Sequence, residues 1–129
     1  MNTLTTEALD HVALYVRDVP TSANFYEKTL LLSRLPRPAF DFPGAWFRLG
    51  VSQELHLIGN RREDDNVMSG SRSNHFALKV LDLDAWEAHF QQKKATYRPP
   101  KARPDGIRQI FIQDPDGYWI ELCEASPRP

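Results

Sequence analysis

The chain has 129 residues, of which 41% are hydrophobic and 26% are charged, and its formal net charge is −1 at pH 7. This composition is ordinary for a globular domain that buries a core of its own. A net charge so close to zero gives no basic surface for nucleic acid or for an anionic membrane, so we expect neither as a partner. No apolar run approaches the roughly 20 residues of a membrane-spanning helix.

Cysteine content and the N-terminal segment indicate the cellular compartment. Cys123 is the single cysteine of the chain, which excludes an intrachain disulfide. The segment from Met1 to Ala8 has neither a basic region nor a long apolar run, so we expect no signal peptide. Both features predict a cytoplasmic protein.

A seven-residue pattern occurs twice in the chain. The segment Asp10-His11-Val12-Ala13-Leu14-Tyr15-Val16 has its counterpart 64 residues later, at positions 74–80. Histidine, an apolar residue, Ala, Leu, any residue and Val follow in the same order in both copies. A repeat at about half the chain length indicates one structural unit used twice. We therefore predict a single domain over 1–129, with module one at about 8–59, a polar linker at about 60–73 and module two at about 74–125.

Module one is predicted to contain a strand, a helix and further strands. In the first strand Val12, Leu14 and Val16 share the face that suits packing against a helix, while His11 and Ala13 lie on the other face. Asp18 or Thr21 can cap the helix that follows. The predicted elements are a strand over 11–16, a helix over about 20–31, a Pro-rich segment over 34–42 with room for one short strand, and strands over 45–49 and 54–58.

Module two is predicted to repeat this plan. Its elements are a strand over 75–80, a helix over 83–94, a Pro-rich basic loop over 97–108, and strands over 108–113 and 118–123. Each half therefore reads as a strand, a helix and about three further strands, a βαβββ unit with the helix on one face of its sheet. The predicted fold class is α+β, with two tandem βαβββ modules whose curved mixed sheets can face each other around a cavity.

Four residues with metal-binding side chains occupy equivalent places in the two modules. His11 and His56 lie 45 residues apart in the first module, and His75 and Glu121 lie 46 residues apart in the second. A single histidine on a strand is more often a hydrogen-bonded core or surface residue than a metal ligand. The repetition of the pair in both modules favours a common role for the four residues in metal binding. Three imidazoles and one carboxylate suit Zn, Ni, Co, Mn or Fe better than Ca or Mg. His89 falls on a predicted helix, and we expect no such role for it.

Three motifs connect the chain to a known superfamily. They are residues 9–14 (LDHVAL) with Asn24-Phe25-Tyr26, residues 74–77 (NHFA), and residues 114–122 (DPDGYWIEL). From Leu9 to Glu124 the chain resembles the vicinal oxygen chelate superfamily, which includes glyoxalase I, bleomycin-resistance proteins and extradiol dioxygenases, and it is most similar to the glyoxalase I-like members.

The resemblance implies that the curved mixed sheets of the two modules form a cup around a metal site, and it implies the ligands of that site and a dimeric assembly. It places metal-ligand roles on His11, His75 and Glu121, and it places His56 where bacterial glyoxalase I has a glutamate ligand. It also implies a homodimer, in which modules are often exchanged between subunits.

The four-residue set favours proton-transfer chemistry on a small substrate. A divalent ion would act as a Lewis acid toward two adjacent substrate oxygens, and four protein ligands leave two coordination positions for them. Glu121 and His56 are the candidate catalytic residues, since one of them must act as the base. Glu54 shares the face of His56 and is a possible second carboxylate. Trp119, with Tyr15 and Trp46, is a candidate for the pocket wall.

Two other functions stay open at this stage. One is a metal-free protein that binds a small molecule, like the bleomycin-resistance proteins. The other is an iron-dependent extradiol-type dioxygenase, which needs room for dioxygen and so suits three protein ligands without His56. A metal-dependent lyase or isomerase of the glyoxalase I type is our first prediction because it uses the complete four-ligand set.

Overall fold

The computed structural model describes residues 4–65 and 74–124. The first module contains β1 (His11–Tyr15), α1 (Val19–Asn24), a π-helical turn (Phe25–Thr29), β2 (Arg34–Leu35), β3 (Gly44–Leu49) and β4 (Gln53–Ile58). The second contains β5 (Phe76–Val80), α2 (Leu83–Gln92), β6 (Tyr97–Ala102), β7 (Arg108–Gln113) and β8 (Trp119–Glu124).

The strands form two four-stranded mixed sheets with the same strand order. The first sheet runs β1-β4-β3-β2 and the second runs β5-β8-β7-β6. In each sheet the first strand pairs in parallel with the last, and the remaining pairs are antiparallel. This topology confirms the predicted α+β class and the tandem βαβββ modules.

Both helices begin at the aspartates that the repeat places at matching positions. Asp18 accepts a hydrogen bond from the backbone N–H of Thr21 at 3.1 Å, and Asp82 accepts one from Ala85 at 3.0 Å. The first helix changes to π-helical hydrogen bonding, in which the Leu30 N–H donates to the Phe25 carbonyl at 3.1 Å. Leu31 then adopts a positive φ of 58°. The predicted helix over 20–31 is therefore present and ends two residues early.

The predicted loop over 97–108 is wrong, since Tyr97–Ala102 forms β6. Its pairing with β7 shifts register between Arg98 and Lys101, on either side of Pro99 and Pro100. Proline cannot donate a hydrogen bond to a neighbouring strand, but a bulge on an edge strand needs no donor there. The edge position of β6 allows a strand where the two prolines had suggested a loop.

The core lies between the helices and the inner faces of the sheets. Val16 of the first repeat is fully buried, and Tyr26 and Phe90 occupy equivalent buried places on the two helical segments. Val12 and Leu14 pack against this core, while Ala13 on the opposite face is exposed. The alternation predicted for the first strand is therefore present, and the face that carries His11 is turned away from the core.

The turn between β7 and β8 connects module two to module one. Asp116 accepts hydrogen bonds from the Arg61 guanidinium at 2.8 Å, from the Ser22 hydroxyl at 3.0 Å and from the Arg17 N–H at 2.9 Å. These contacts lower the pKa of the Asp116 carboxyl against the opposing effect of its burial. Asp114 accepts a hydrogen bond from the buried Tyr26 hydroxyl at 2.7 Å. We call residues 114–117 the anchoring turn.

Some sequence predictions fall on parts of the chain outside the described residues. These parts are 1–3 of the N-terminal segment, 66–73 of the predicted linker, and residue 125 at the predicted end of module two. Within the described residues, no helix is long and apolar enough to cross a membrane.

Candidate functional site

The first pair of predicted ligands lies on the exposed face of the first sheet. His11 begins β1, and His56 lies on β4 opposite Ala13. Parallel pairing of these strands brings the two imidazole rings into a stack, with 4.2 Å between ring centroids and 18° between planes. Because Ala13 has only a methyl side chain, it leaves space in front of the rings.

His56 has two further partners in the same sheet. The indole of Trp46 on β3 stacks on it with 4.0 Å between ring centroids and 4° between planes. Nε2 of His56 lies 2.8 Å from Oε1 of Glu54, and Nδ1 of His11 lies 2.8 Å from Oδ2 of Asp10. A carboxylate bound to one ring nitrogen orients an imidazole and sets its tautomer, as it does around metal ligands.

The second pair lies on the equivalent face of the second sheet. Glu121 on β8 is opposite Ala77, just as His56 is opposite Ala13. Nε2 of His75 lies 3.1 Å from Oε1 of Glu121. The Gln109 amide donates to the other oxygen, Oε2, at 2.7 Å. The Glu121 side chain is only 7% exposed, so both of its oxygens are held in fixed positions.

The structure brings the four predicted ligands together as two pairs. In the described part of the chain, no group of three or more His, Cys, Asp or Glu side chains is placed to hold a metal ion. Each pair has suitable donor atoms, but the donors of one chain do not by themselves fit a four-ligand centre. The assignment of His11, His56, His75 and Glu121 as ligands, and of Glu121 and His56 as catalytic residues, stays a prediction.

Two contacts of the site were underestimated or missed by sequence reasoning. Glu54 was only a possible second carboxylate, yet it is the direct partner of His56. Gln109 was not considered. The register of the β7–β8 hairpin is the signal that would have indicated Gln109. Phe111 pairs with Glu121, and Gln109 lies two residues from Phe111 on the same face of the sheet. His89 lies 3.0 Å from the Thr29 carbonyl through its Nε2, which is consistent with a structural role.

Comparison with known proteins defines the class to which this fold and site belong. The glyoxalase/bleomycin resistance protein/dioxygenase superfamily matches residues 8–122 of the chain. The chain therefore belongs to this superfamily, as its motifs predicted.

Several relatives carry glyoxalase names. "Glyoxylase I 4" of Arabidopsis thaliana is 28% identical, with 99% of this chain and 76% of the relative covered. The lactoylglutathione lyase of Pseudomonas aeruginosa is 27% identical, with 91% and 82% covered. The probable lactoylglutathione lyase of Synechocystis is 30% identical, with 92% and 95% covered.

Solved structures show the same fold. The "putative glyoxalase family protein" of Bacillus anthracis has a TM-score of 0.80 at 24% identity, covering 95% of this chain and 98% of its own. The lactoylglutathione lyase of Agrobacterium tumefaciens has a TM-score of 0.74 at 21% identity, covering 94% and 96%. At such identities the likeness establishes the architecture of the two modules and not a shared activity.

Proposed function

We propose that this protein is a divalent-metal-dependent lyase or isomerase of the glyoxalase I type. Its substrate is a small molecule that binds the ion through two adjacent oxygens. The observation that carries the proposal is the equivalence of the two pairs. Each combines a histidine at, or immediately before, the start of a module's first strand with a second candidate ligand opposite an alanine. The names of the relatives support a lyase of this type.

We further propose that the complete site forms between two copies of the chain. Within one chain the pairs His11–His56 and His75–Glu121 are separate, and the alanines in front of them, Ala13 and Ala77, are exposed. A two-fold axis that brings module one of one copy against module two of another would create two equivalent four-ligand sites. This arrangement explains why each module has half of a donor set on an uncovered face.

The protein residues divide the chemical work in this proposal. A bound divalent ion would supply Lewis acidity toward the two substrate oxygens. Glu121 is the candidate base. Gln109 donates a hydrogen bond to Oε2, and Nε2 of His75 lies 3.1 Å from Oε1, so the carboxylate is held in one orientation before the substrate arrives.

A second candidate function applies if His56 does not bind the ion. Glu54 holds Nε2 of His56, which leaves Nδ1 as the nitrogen that could bind a metal. Without His56, three ligands remain and the coordination sphere has room for dioxygen as well as substrate. An iron-dependent extradiol-type oxygenase would then be the better assignment.

Metal analysis separates these functions. Untagged wild type, His56→Ala and His75→Ala would be reconstituted with Zn, Ni, Co, Mn or Fe and analysed by plasma mass spectrometry, with His89→Ala as the control histidine. We expect about one ion per chain, retained in the control and lost in both site variants. Loss in His75→Ala alone, with iron preferred, would favour the oxygenase. No ion in the wild type would overturn both and leave a metal-free binding protein.

Mixing two inactive variants tests the shared site. His11→Ala disables module one and His75→Ala disables module two, so neither homodimer has an intact site. After subunit exchange, half of randomly formed dimers are mixed and each has one intact site, which restores about a quarter of wild-type metal binding and lyase activity. Sites formed within single chains would stay empty and inactive in the mixture. A strictly monomeric protein in light scattering would also reject the proposal.

A further inference from the structure

Three aromatic side chains form a patch beside the first ligand pair. Phe40 and Phe42 lie in the connection between β2 and β3, and their rings stack with 5.2 Å between centroids. Phe40 is 46% exposed and Phe42 is 37% exposed, although each would be favourably buried. Trp46 follows on β3, with its ring centroid 6.1 Å from that of Phe40. We call Phe40, Phe42 and Trp46 the aromatic ledge.

The ledge is held in place by a specific set of contacts. The Arg37 guanidinium lies over both phenyl rings, 4.9 Å from each centroid, and donates to the Phe42 carbonyl at 2.9 Å. Gly44 makes room for it, since an added Cβ would lie 2.9 Å from the Arg37 Cζ and 2.4 Å from the Leu57 carbonyl oxygen. Arg37 is therefore a positioning residue for exposed rings.

Arg37 leaves one of its own hydrogen-bond donors unpaired in this arrangement. Its Nε is buried and has no hydrogen-bond partner among the described residues. An unpaired buried donor is unfavourable, so the ring contacts and the carbonyl bond must compensate for it. Rings fixed in this way are preorganised to contact a molecule held at the neighbouring histidines.

The aromatic ledge is in contact with the His11–His56 pair through Trp46. Phe42, Phe40, Trp46, His56 and His11 form an unbroken series of ring contacts, in which the last three rings stack at 4.0 and 4.2 Å. A substituent on a molecule bound at the histidines, if directed toward β3, would meet Trp46 and then Phe40. Flat aromatic faces favour flat, unsaturated groups, because stacking adds to the burial of apolar area.

We infer that the aromatic ledge is the subsite for a planar aromatic substituent of the substrate, adjacent to its metal-chelating oxygens. This inference rests on the proposed function, since it is the bound ion that would place the oxygens. It goes beyond that function by naming the substrate class: an aryl-substituted compound instead of one with a small alkyl group.

Two hydroxamates that differ in one substituent test the inference. Acetohydroxamate and benzohydroxamate present the same pair of oxygens, with a methyl or a phenyl group attached. Each would be titrated calorimetrically into metal-loaded wild type, Phe40→Ala and Phe40→Tyr, with Val51→Ala as a control. Val51 is an exposed apolar residue at the opposite end of β3 from the ledge.

We expect wild type to bind the phenyl compound at least about tenfold more tightly than the methyl compound. Phe40→Ala should weaken the phenyl compound about fivefold and leave the methyl compound within about twofold. Phe40→Tyr should restore the preference, and Val51→Ala should not change it. Equal binding of the two compounds, or a preference that survives Phe40→Ala, would overturn the inference.

A non-chelating aromatic probe separates this inference from the proposed function. If neither hydroxamate binds, the metal-dependent function fails, and 2-naphthol tests the ledge alone through quenching of Trp46 fluorescence. Trp46→Phe identifies the contribution of that indole. Quenching that is lost in Phe40→Ala would show that the ledge binds aryl groups without a metal. Absence of quenching in the wild type would overturn the subsite as well.

Discussion

The two modules share one fold but place different chemistry on equivalent positions. In module one the residue opposite the alanine is His56, stacked between other rings, whereas in module two it is Glu121, buried and bound by Gln109. Module one thus presents two adjacent imidazoles beside an aromatic surface, and module two presents an imidazole and a fixed carboxylate. The comparison shows that a repeated backbone sets where the candidate ligands lie, while neighbouring side chains give each of them a different environment.

The modules also differ in how their hairpin turns are used. The anchoring turn of module two places Asp116 against Arg17 and Arg61 of module one. The corresponding turn of module one, between β3 and β4, exposes Val51 to 90%. The two equivalent turns are therefore used differently, and the internal symmetry of the chain is incomplete.

The largest effect is expected from removing the carboxylate of Glu121, which lies opposite Ala77 in module two. Glu121→Gln keeps the shape of the side chain but removes its charge and basicity, so we expect kcat for the lyase reaction to fall by about 10²–10⁴-fold. Steady-state kinetics on the metal-loaded protein, together with its metal content, measure the loss.

Glu54→Gln is the matched control in module one. Glu54 also contacts a histidine but is 34% exposed, and it orients His56 without contacting substrate in our proposal. We expect a decrease in metal affinity of about tenfold. Equal losses of kcat in the two variants would contradict the assignment of Glu121 as the base.

Removing Asp116 should destabilise the contact between the modules. The Asp116 side chain is 2% exposed and that of Arg61 is 6% exposed, so Asp116→Ala leaves a buried guanidinium without its carboxylate. Such losses cost about 3–5 kcal/mol in the free energy of unfolding. Urea denaturation would measure the change. Val51→Asp in the other turn should stay within about 0.5 kcal/mol of wild type. A small effect of Asp116→Ala would show that the anchoring turn does not stabilise the fold.

A smaller effect concerns the pH dependence of stability. Burial raises the pKa of Asp114 from 3.8 to about 6, although hydrogen bonds from Tyr26 and the backbone oppose the shift. The folded protein therefore holds this proton more tightly than the unfolded chain. The stabilisation is complete below pH 3.8 and is lost as the pH rises through about 6, by at most about 3 kcal/mol.

Asp114→Asn tests this dependence, because the amide keeps an acceptor oxygen and cannot ionise. The wild type should lose stability relative to Asp114→Asn between pH 4 and pH 7, as measured by urea denaturation at several pH values. Comparing the two proteins cancels distant carboxyls whose pKa values are lowered, such as Asp105. Parallel stability curves would show that Asp114 has an ordinary pKa.

The sequence predicted the elements that depend on local patterns. Alternating residues predicted the first strand of each module, and Asp18 was one of two candidate caps of the first helix. Asp18 and Asp82, its counterpart 64 residues later, cap the two helices, because N-capping joins residues only three positions apart. The first helix ends two residues earlier than predicted, and the predicted loop over 97–108 contains the strand β6. A π-helical turn and a bulge at a sheet edge depend on packing partners that no local pattern contains.

By itself the sequence determined the fold class, the superfamily and the four candidate ligands, because a repeat and its motifs are properties of residue order. Only the tertiary structure decided how those ligands are grouped. Parallel pairing of β1 with β4 and of β5 with β8 forms two pairs, and the position of one module relative to the other keeps the pairs apart within a chain. The partners Glu54 and Gln109, and the aromatic ledge beside His56, likewise follow from strand register and side-chain packing.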